Sequence, residues 1–232
     1  MQKNGVSSVA ALDEPRRRRV FEFVRHARRS VSRDDVAAEL GISRKLAAFH
    51  LDKLLEHRLL NAHYARPPGR SGPGAGRSVK YYEPSEMHIE VSIPERRYNL
   101  AGELLLEAIR SEQPDEPARA AAMRVARERG HALGERVRRE RRLRPLGAER
   151  ALTVARDVLE EQGFEPYSED PGVLALRNCP FHALAQQAPE LMCHINQAFI
   201  DGLLRGLGNK TVEAVLACRP GDCCVSLRAL VR

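Results

Sequence analysis

Five cysteines fall within 46 positions of the 232-residue chain: Cys179, Cys193, Cys218, Cys223 and Cys224. Thiolates are soft ligands for zinc and for iron–sulfur clusters, and they are the reactive form in redox chemistry. In a reducing compartment, clustered cysteines point to metal binding or redox chemistry rather than to structural disulfides. The two CxxC knuckles of a zinc ribbon are absent, so zinc and an iron–sulfur cluster both stay open. In Asn178-Cys179-Pro180-Phe181-His182, Pro180 suits the first position of a helix. That would put Cys179 at the cap, facing the positive end of the helix dipole, with His182 three residues on.

Those thiols need elements to gather them. Residues 148–162 read as an amphipathic helix with Ala151, Val154, Ala155, Val158 and Leu159 on one face. Residues 164–167 and 173–176 read as strands joined by the turn Asp170-Pro171-Gly172. Pro189 opens a further helix, placing Cys193 in its early turns. This helix carries Ile195, Phe199 and Leu203, with small Gly202 and Gly206 for close packing, and Gly208 ends it. Residues 211–217 read as a strand, and Arg219-Pro220-Gly221-Asp222 as a turn. Cys223-Cys224 is expected to open the last strand. Strand neighbours point to opposite faces, so one of the pair should join Cys179 and Cys193, unless both lie in the turn. Cys218 begins that turn and is the spare.

Charge divides the chain differently. Residues 1–85 hold 17 Lys and Arg against 9 Asp and Glu, a net of +8; the whole chain is +7, so residues 86–232 come to −1. Basic charge confined to one segment is the footprint of a polyanion partner. Within it, residues 13–29 read as a helix. Ser32-Arg33-Asp34-Asp35 has the form of a capping box for a short helix to Leu40, and Gly41 suits a left-handed terminus. Ser43 caps a second helix to about His57, with Ala47, Leu51 and Leu54 on its buried stripe. Arg44, Lys45, Ala48, Phe49 and Lys53 lie off that stripe. Helix, Gly-containing turn, helix is the helix-turn-helix pattern, whose second helix enters the major groove. Ser43, Arg44, Lys45, Ala48, Phe49 and Lys53 are therefore the candidate groove residues. Short strands at 59–65 and 78–82 flank a Gly- and Pro-rich basic tip, which reads as a wing. Arg66, Arg70, Arg77 and Lys80 are its candidate phosphate or minor-groove contacts. His50, beside the buried stripe, is expected to pack with its ring bonded locally.

Between these parts, residues 94–111 read as a helix. Residues 114–142 read as a long charged one whose apolar positions, among them Ala121, Val125, Ala126, Leu133 and Val137, are thin. Such a helix is either solvated or partnered along its length. A dimer contact or a plain surface helix both fit.

Residues 32–82 resemble the ArsR-like winged-helix regulators. The match is carried by Ser32-Arg-Asp-Asp-Val-Ala-Ala-Glu-Leu-Gly-Ile-Ser-Arg, His50-Leu-Asp-Lys-Leu and the Gly-rich segment ahead of Lys80-Tyr81-Tyr82. The resemblance implies a homodimer on a palindromic operator in double-stranded DNA. Asn178-Cys179-Pro180, Cys193, the strand at Thr211-Val212-Glu213 and Gly221-Asp222-Cys223, in this order after a winged helix, resemble the SufR-type repressors of iron–sulfur cluster assembly. That resemblance implies a [4Fe-4S] cluster held through these cysteines, with DNA affinity following cluster state. Lys210 stands where the family's additional cysteine is expected, and Cys218 and Cys224 are extra. The fourth ligand thus stays open among His182, Cys224 and Cys218.

The expected fold class is α+β. A winged helix-turn-helix domain spans 1–85, a helical linker or dimerisation region 86–147, and an α/β cysteine-bearing sensor 148–232. No run of about 18 apolar residues suggests a membrane span, and no signal-peptide pattern opens the chain, so a cytoplasmic regulator is expected. No P-loop, GxGxxG, Ser/His/Asp set or CxxC at a strand–helix junction stands out, so an enzyme is not. The alternatives are a winged-helix regulator with structural zinc or a thiol switch and, in another class, a thiol oxidoreductase.

Overall fold

A computed structural model describes residues 3–66 and 78–230. The chain mixes helices with antiparallel sheets and divides into two compact units, residues 2–91 and 92–232. The helices of the predicted middle region fall inside the second unit and complete its core.

The first unit holds α1 (Lys3–Ala11), α2 (Pro15–His26), β1 (Val31–Ser32), α3 (Arg33–Leu40), α4 (Arg44–Glu56), β2 (Leu60–Ala65) and β3 (Val79–Pro84). Its helix starts are set by side chains. Glu14 accepts from the amides of Arg16 and Arg17, with Pro15 in the first turn of α2. Ser32 and Asp35 form the reciprocal capping box: the Asp35 amide donates to Ser32 Oγ at 3.2 Å and the Ser32 amide to Asp35 Oδ2 at 2.7 Å. Such a cap stabilises a helix by about 1 kcal/mol. Gly41 takes φ +62°, which a side chain adopts only with strain, and ends α3. Two residues on, Ser43 caps α4 through the Leu46 amide. The sheet runs β1-β3-β2, all antiparallel, with Tyr64 opposite Lys80 and Ala65 opposite Val79. Val20, Val24, Val36, Ala47, Leu51 and Leu54 fill the core between α2, α3 and α4, with no exposed surface. The elements α1 and β1 were not foreseen.

The second unit holds α5 (Tyr98–Arg110), α6 (Ala118–Glu140), α7 (Ala148–Glu161), β4 (Pro166–Ser168), β5 (Val173–Leu176), α8 (His182–Gln187), α9 (Pro189–Gly206), β6 (Val212–Leu216) and β7 (Val225–Ala229). Its sheet order is β4-β5-β7-β6, antiparallel throughout. Helix α7 buries the five predicted residues of its apolar face. Helix α6 packs along α9. A Cβ on Gly130 would stand 1.9 Å from the Phe199 carbonyl oxygen, and one on Gly206 would stand 2.2 Å from that of His131. Gly134 and Gly202 meet the opposite backbone in the same way. Each glycine costs about 1 kcal/mol of helix propensity against alanine, yet no larger residue fits. The thin apolar stripe of α6 is therefore the mark of a backbone-to-backbone contact within the chain.

Candidate thiol centre and basic face

The segment after β5 sets Cys179. The Asn178 amide donates to the Phe164 carbonyl at 3.1 Å, and the Asn178 side chain donates to the carbonyls of Glu95 and Gly163. Arg96 Nη1 donates to Asn178 Oδ1 at 2.6 Å and to the Cys179 carbonyl at 2.8 Å. Phe181, 1% exposed, plugs into the core. The cap of α8 is Phe181, not Cys179, because the chain spends Cys179 and Pro180 in a turn closed by the His182 amide on the Cys179 carbonyl. Cys193 lies in the early turns of α9, as its Pro189 start requires. Cys218 follows β6. Cys223 and Cys224 precede β7, so the pair lies in the turn: the Cys223 amide donates to the Leu176 carbonyl and the Ala217 amide to that of Cys224. Tyr167 Oη donates to Asp222 Oδ2 at 2.8 Å, and Arg219 pairs with Glu169, pinning this turn to the sheet.

All five thiols are free. They meet in two groups. Cys223 lies within hydrogen-bonding reach of Cys179, and Cys224 within reach of both Cys193 and Cys218. Interaction with the Cys223 thiol, aided by the Phe181 amide and the Arg96 guanidinium, brings Cys179 down to about 7 despite burial. The same interaction and burial push Cys223 well above the usual thiol value. Burial raises Cys193 and Cys224, and donation to Cys224 raises Cys218. Charge on Cys179 is felt at Cys193 and Cys224, so the two groups share one field. Asn196, 2% exposed on α9, donates through Nδ2 to Cys223 Sγ at 3.3 Å, and its Oδ1 has no partner.

Among the described residues, no three His, Cys, Asp or Glu side chains converge closely enough to hold one metal ion. His182 is exposed at the start of α8, and among the described residues no hydrogen bond joins its ring to a thiol. Sequence reasoning missed Arg96 and Asn196. The one signal for the first was its partner, the Asn178 next to Cys179.

In the first unit, Ser43, Arg44, Lys45 and Phe49 are exposed on α4, with Ala48 and Lys53 half-buried. Phe49 keeps 53% of its surface. Three of the basic residues already have carboxylate partners: Arg44 with Asp34 at 2.8 Å, Lys53 with Glu56 at 2.7 Å and Lys80 with Asp52 at 2.8 Å. Lys45 has no ion pair among the described residues. Arg66 is exposed at the end of β2. Arg70 and Arg77 lie outside the described residues. Tyr64, 70% exposed, stands across β2–β3 from Lys80 and was not foreseen. His50 is 4% exposed and edge-on to Phe49, with Glu14 Oε2 3.5 Å from Nδ1. That is ion-pair proximity without hydrogen-bond geometry, and neither ring nitrogen has a hydrogen-bond partner. The expected local bond is absent.

No family model matches this chain, and no curated protein matches it. No helix among the described residues is long and apolar enough to cross a membrane.

Proposed function

We propose that the chain is a DNA-binding transcriptional regulator whose operator affinity follows the state of an iron–sulfur cluster. The observation that carries the reading is the meeting of five thiols from the ends of β5, β6 and β7 and from α9, in one field. Cys179, Cys193 and Cys223 are the proposed ligands. Cys224, in contact with Cys193, is the fourth in preference to exposed Cys218 and His182. A mononuclear zinc site needs its sulfurs about 3.8 Å apart, from a Zn–S bond of about 2.3 Å and tetrahedral angles. The thiols do not gather on one such point. In a [4Fe-4S] cluster each thiolate binds its own iron, so that donor set does not require three sulfurs on one point. The cluster would supply a redox- and oxygen-sensitive centre. The chain's own contribution is the Asn196 donor on Cys223 sulfur and the Arg96 cation beside Cys179.

In the first unit, α3, the Gly41 turn and α4 support a helix-turn-helix, and β2–β3 supports a wing, on a homodimer bound to a palindromic operator. Arg44 and Lys80 would exchange Asp34 and Asp52 for phosphate on binding, while Lys45 and Arg66 contribute directly. Anaerobic reconstitution with iron and sulfide should give a brown protein with about four irons per chain, and its affinity for a palindrome selected from random duplexes should change on air exposure. A colourless protein holding one zinc per chain sinks the cluster reading. The second reading, a bare thiol switch, is favoured by the pairing of Cys179 with Cys223 and of Cys218 with Cys224. It predicts the same DNA response to peroxide with no iron present.

A further inference from the structure

We propose that residues 95–97 form a strap that carries the state of the Cys179 turn to the chain entering the first unit, with Arg96 as its positioning residue. This rests on the reading of the thiol centre as a sensor. The first unit ends at residue 91, and the strap begins four residues later. Only residues 92–94 separate the two.

Three contacts fasten it. Arg96 Nη1 bridges the Asn178 side chain and the Cys179 carbonyl. The Arg97 amide donates to the Pro180 carbonyl at 3.0 Å. The Asn178 amide group donates back to the Glu95 carbonyl at 3.0 Å and to that of Gly163 at 2.5 Å. The strap is thus held on both sides of Cys179, by side chains at Asn178 and by backbone at Pro180. Asn178 is 6% exposed, so its groups have no water to turn to when a strap contact is lost. A Cβ on Gly163, which has φ +85°, would press Glu95 at 3.1 Å; the glycine lets the strap lie against the end of α7. Arg97 Nη2 then ties it to the Glu161 carbonyl at 2.6 Å. Any rearrangement of residues 178–180 that accompanies ligation or oxidation of Cys179 must move residues 95–97 or break these bonds. Arg96 lies 82 positions from Asn178 in sequence, so the contact joins two otherwise remote segments.

The test is backbone hydrogen exchange of the full chain, read over residues 92–98, with and without iron and sulfide. In the wild type, loading should change exchange there about tenfold. In Arg96→Ala, that change should vanish at equal iron content, and operator affinity should stop responding to the cluster. Arg96→Lys, which retains a donor, should restore part of both. An Arg96→Ala protein with bound iron and an unchanged exchange response overturns the strap. If neither protein binds iron, the cluster reading fails. The strap is then judged on the same exchange between reduced and peroxide-oxidised thiols, where no response at 92–98 overturns it. Should Arg96→Ala fail to fold, Arg96→Gln serves under the same outcomes.

Discussion

Replacing Gly202 with alanine should loosen the second unit, and the size of the effect follows from the α6–α9 contact. The new Cβ would stand 2.0 Å from the Arg127 carbonyl oxygen and 2.8 Å from its carbon. Ordinary contact begins near 3.4 Å, so the helices must part by about 1.4 Å or bend. The obstacle is backbone, which has no rotamer to change. Alanine gains about 1 kcal/mol of helix propensity. Overpacking costs about 1–3 kcal/mol, and a gap of about 1 Å forfeits a quarter to a half of each nearby dispersion contact. With several contacts weakened along the helix pair, the net is a loss of about 2 kcal/mol, or roughly 4–8 °C in Tm. Gly102 on α5 is the internal control. Nothing lies within 4 Å of its added Cβ, so Gly102→Ala should gain about 1 kcal/mol. Urea unfolding of both variants should differ by about 3 kcal/mol. Equal stability of the two would refute the close-packing argument. Cys193 and Asn196 ride on α9, so Gly202→Ala should also raise the labelling rate of Cys193 and Cys223.

Three further outcomes are expected. In metal-free protein, iodoacetamide should label Cys179 ahead of Cys193 and Cys223, half-maximally at a pH of about 7 because the thiolate fraction rises with pH. Arg96→Ala should move that midpoint upward; peptide mass spectrometry that finds Cys179 labelled last would contradict the Cys179–Cys223 pairing. Burial holds His50 below the ordinary imidazole value, against the pull of Glu14. Its neutral form is thus stable in the fold, and the first unit should lose stability as pH falls through about 6.5, where the unfolded imidazole takes up a proton. Urea midpoints at neutral and acid pH should converge in His50→Gln, and an unchanged pH slope in that variant would reject the assignment. Finally, Lys45→Ala should weaken operator binding and lower the salt slope by about one unit if Lys45 meets phosphate, or relax base preference at constant slope if it meets a base. Gel-shift titrations that show neither change remove Lys45 from the interface.

Local chemistry was legible and distant chemistry was not. The capping box at Ser32 and Asp35, the left-handed Gly41, the Ser43 cap and the Pro189 start each depend on residues within a turn of one another, and each stands where the sequence puts it. For helix α6 the sequence left solvation and partnering both open, because apolar periodicity records side chains, whereas part of its contact is made by absent ones at Gly130 and Gly134. Strand β1 has only two residues, too few for alternation to register. The cap at Phe181 slipped two residues from expectation since Asn178 and Cys179 are held by Arg96. For the cysteine doublet, strand alternation gave one partner to the centre; the turn gives each sulfur its own, Cys179 for Cys223 and Cys193 for Cys224.

Cys218, Cys223 and Cys224 share the single turn that Tyr167 and Glu169 pin through Asp222 and Arg219. Both groups of sulfurs therefore share this latch, alongside the Leu176 carbonyl that holds the Cys223 amide. Opening it parts Cys223 from Cys179 and Cys224 from Cys193 in the same motion. The two buried thiols, Cys193 and Cys223, accordingly become reachable together, as a concerted event rather than two separate exposures.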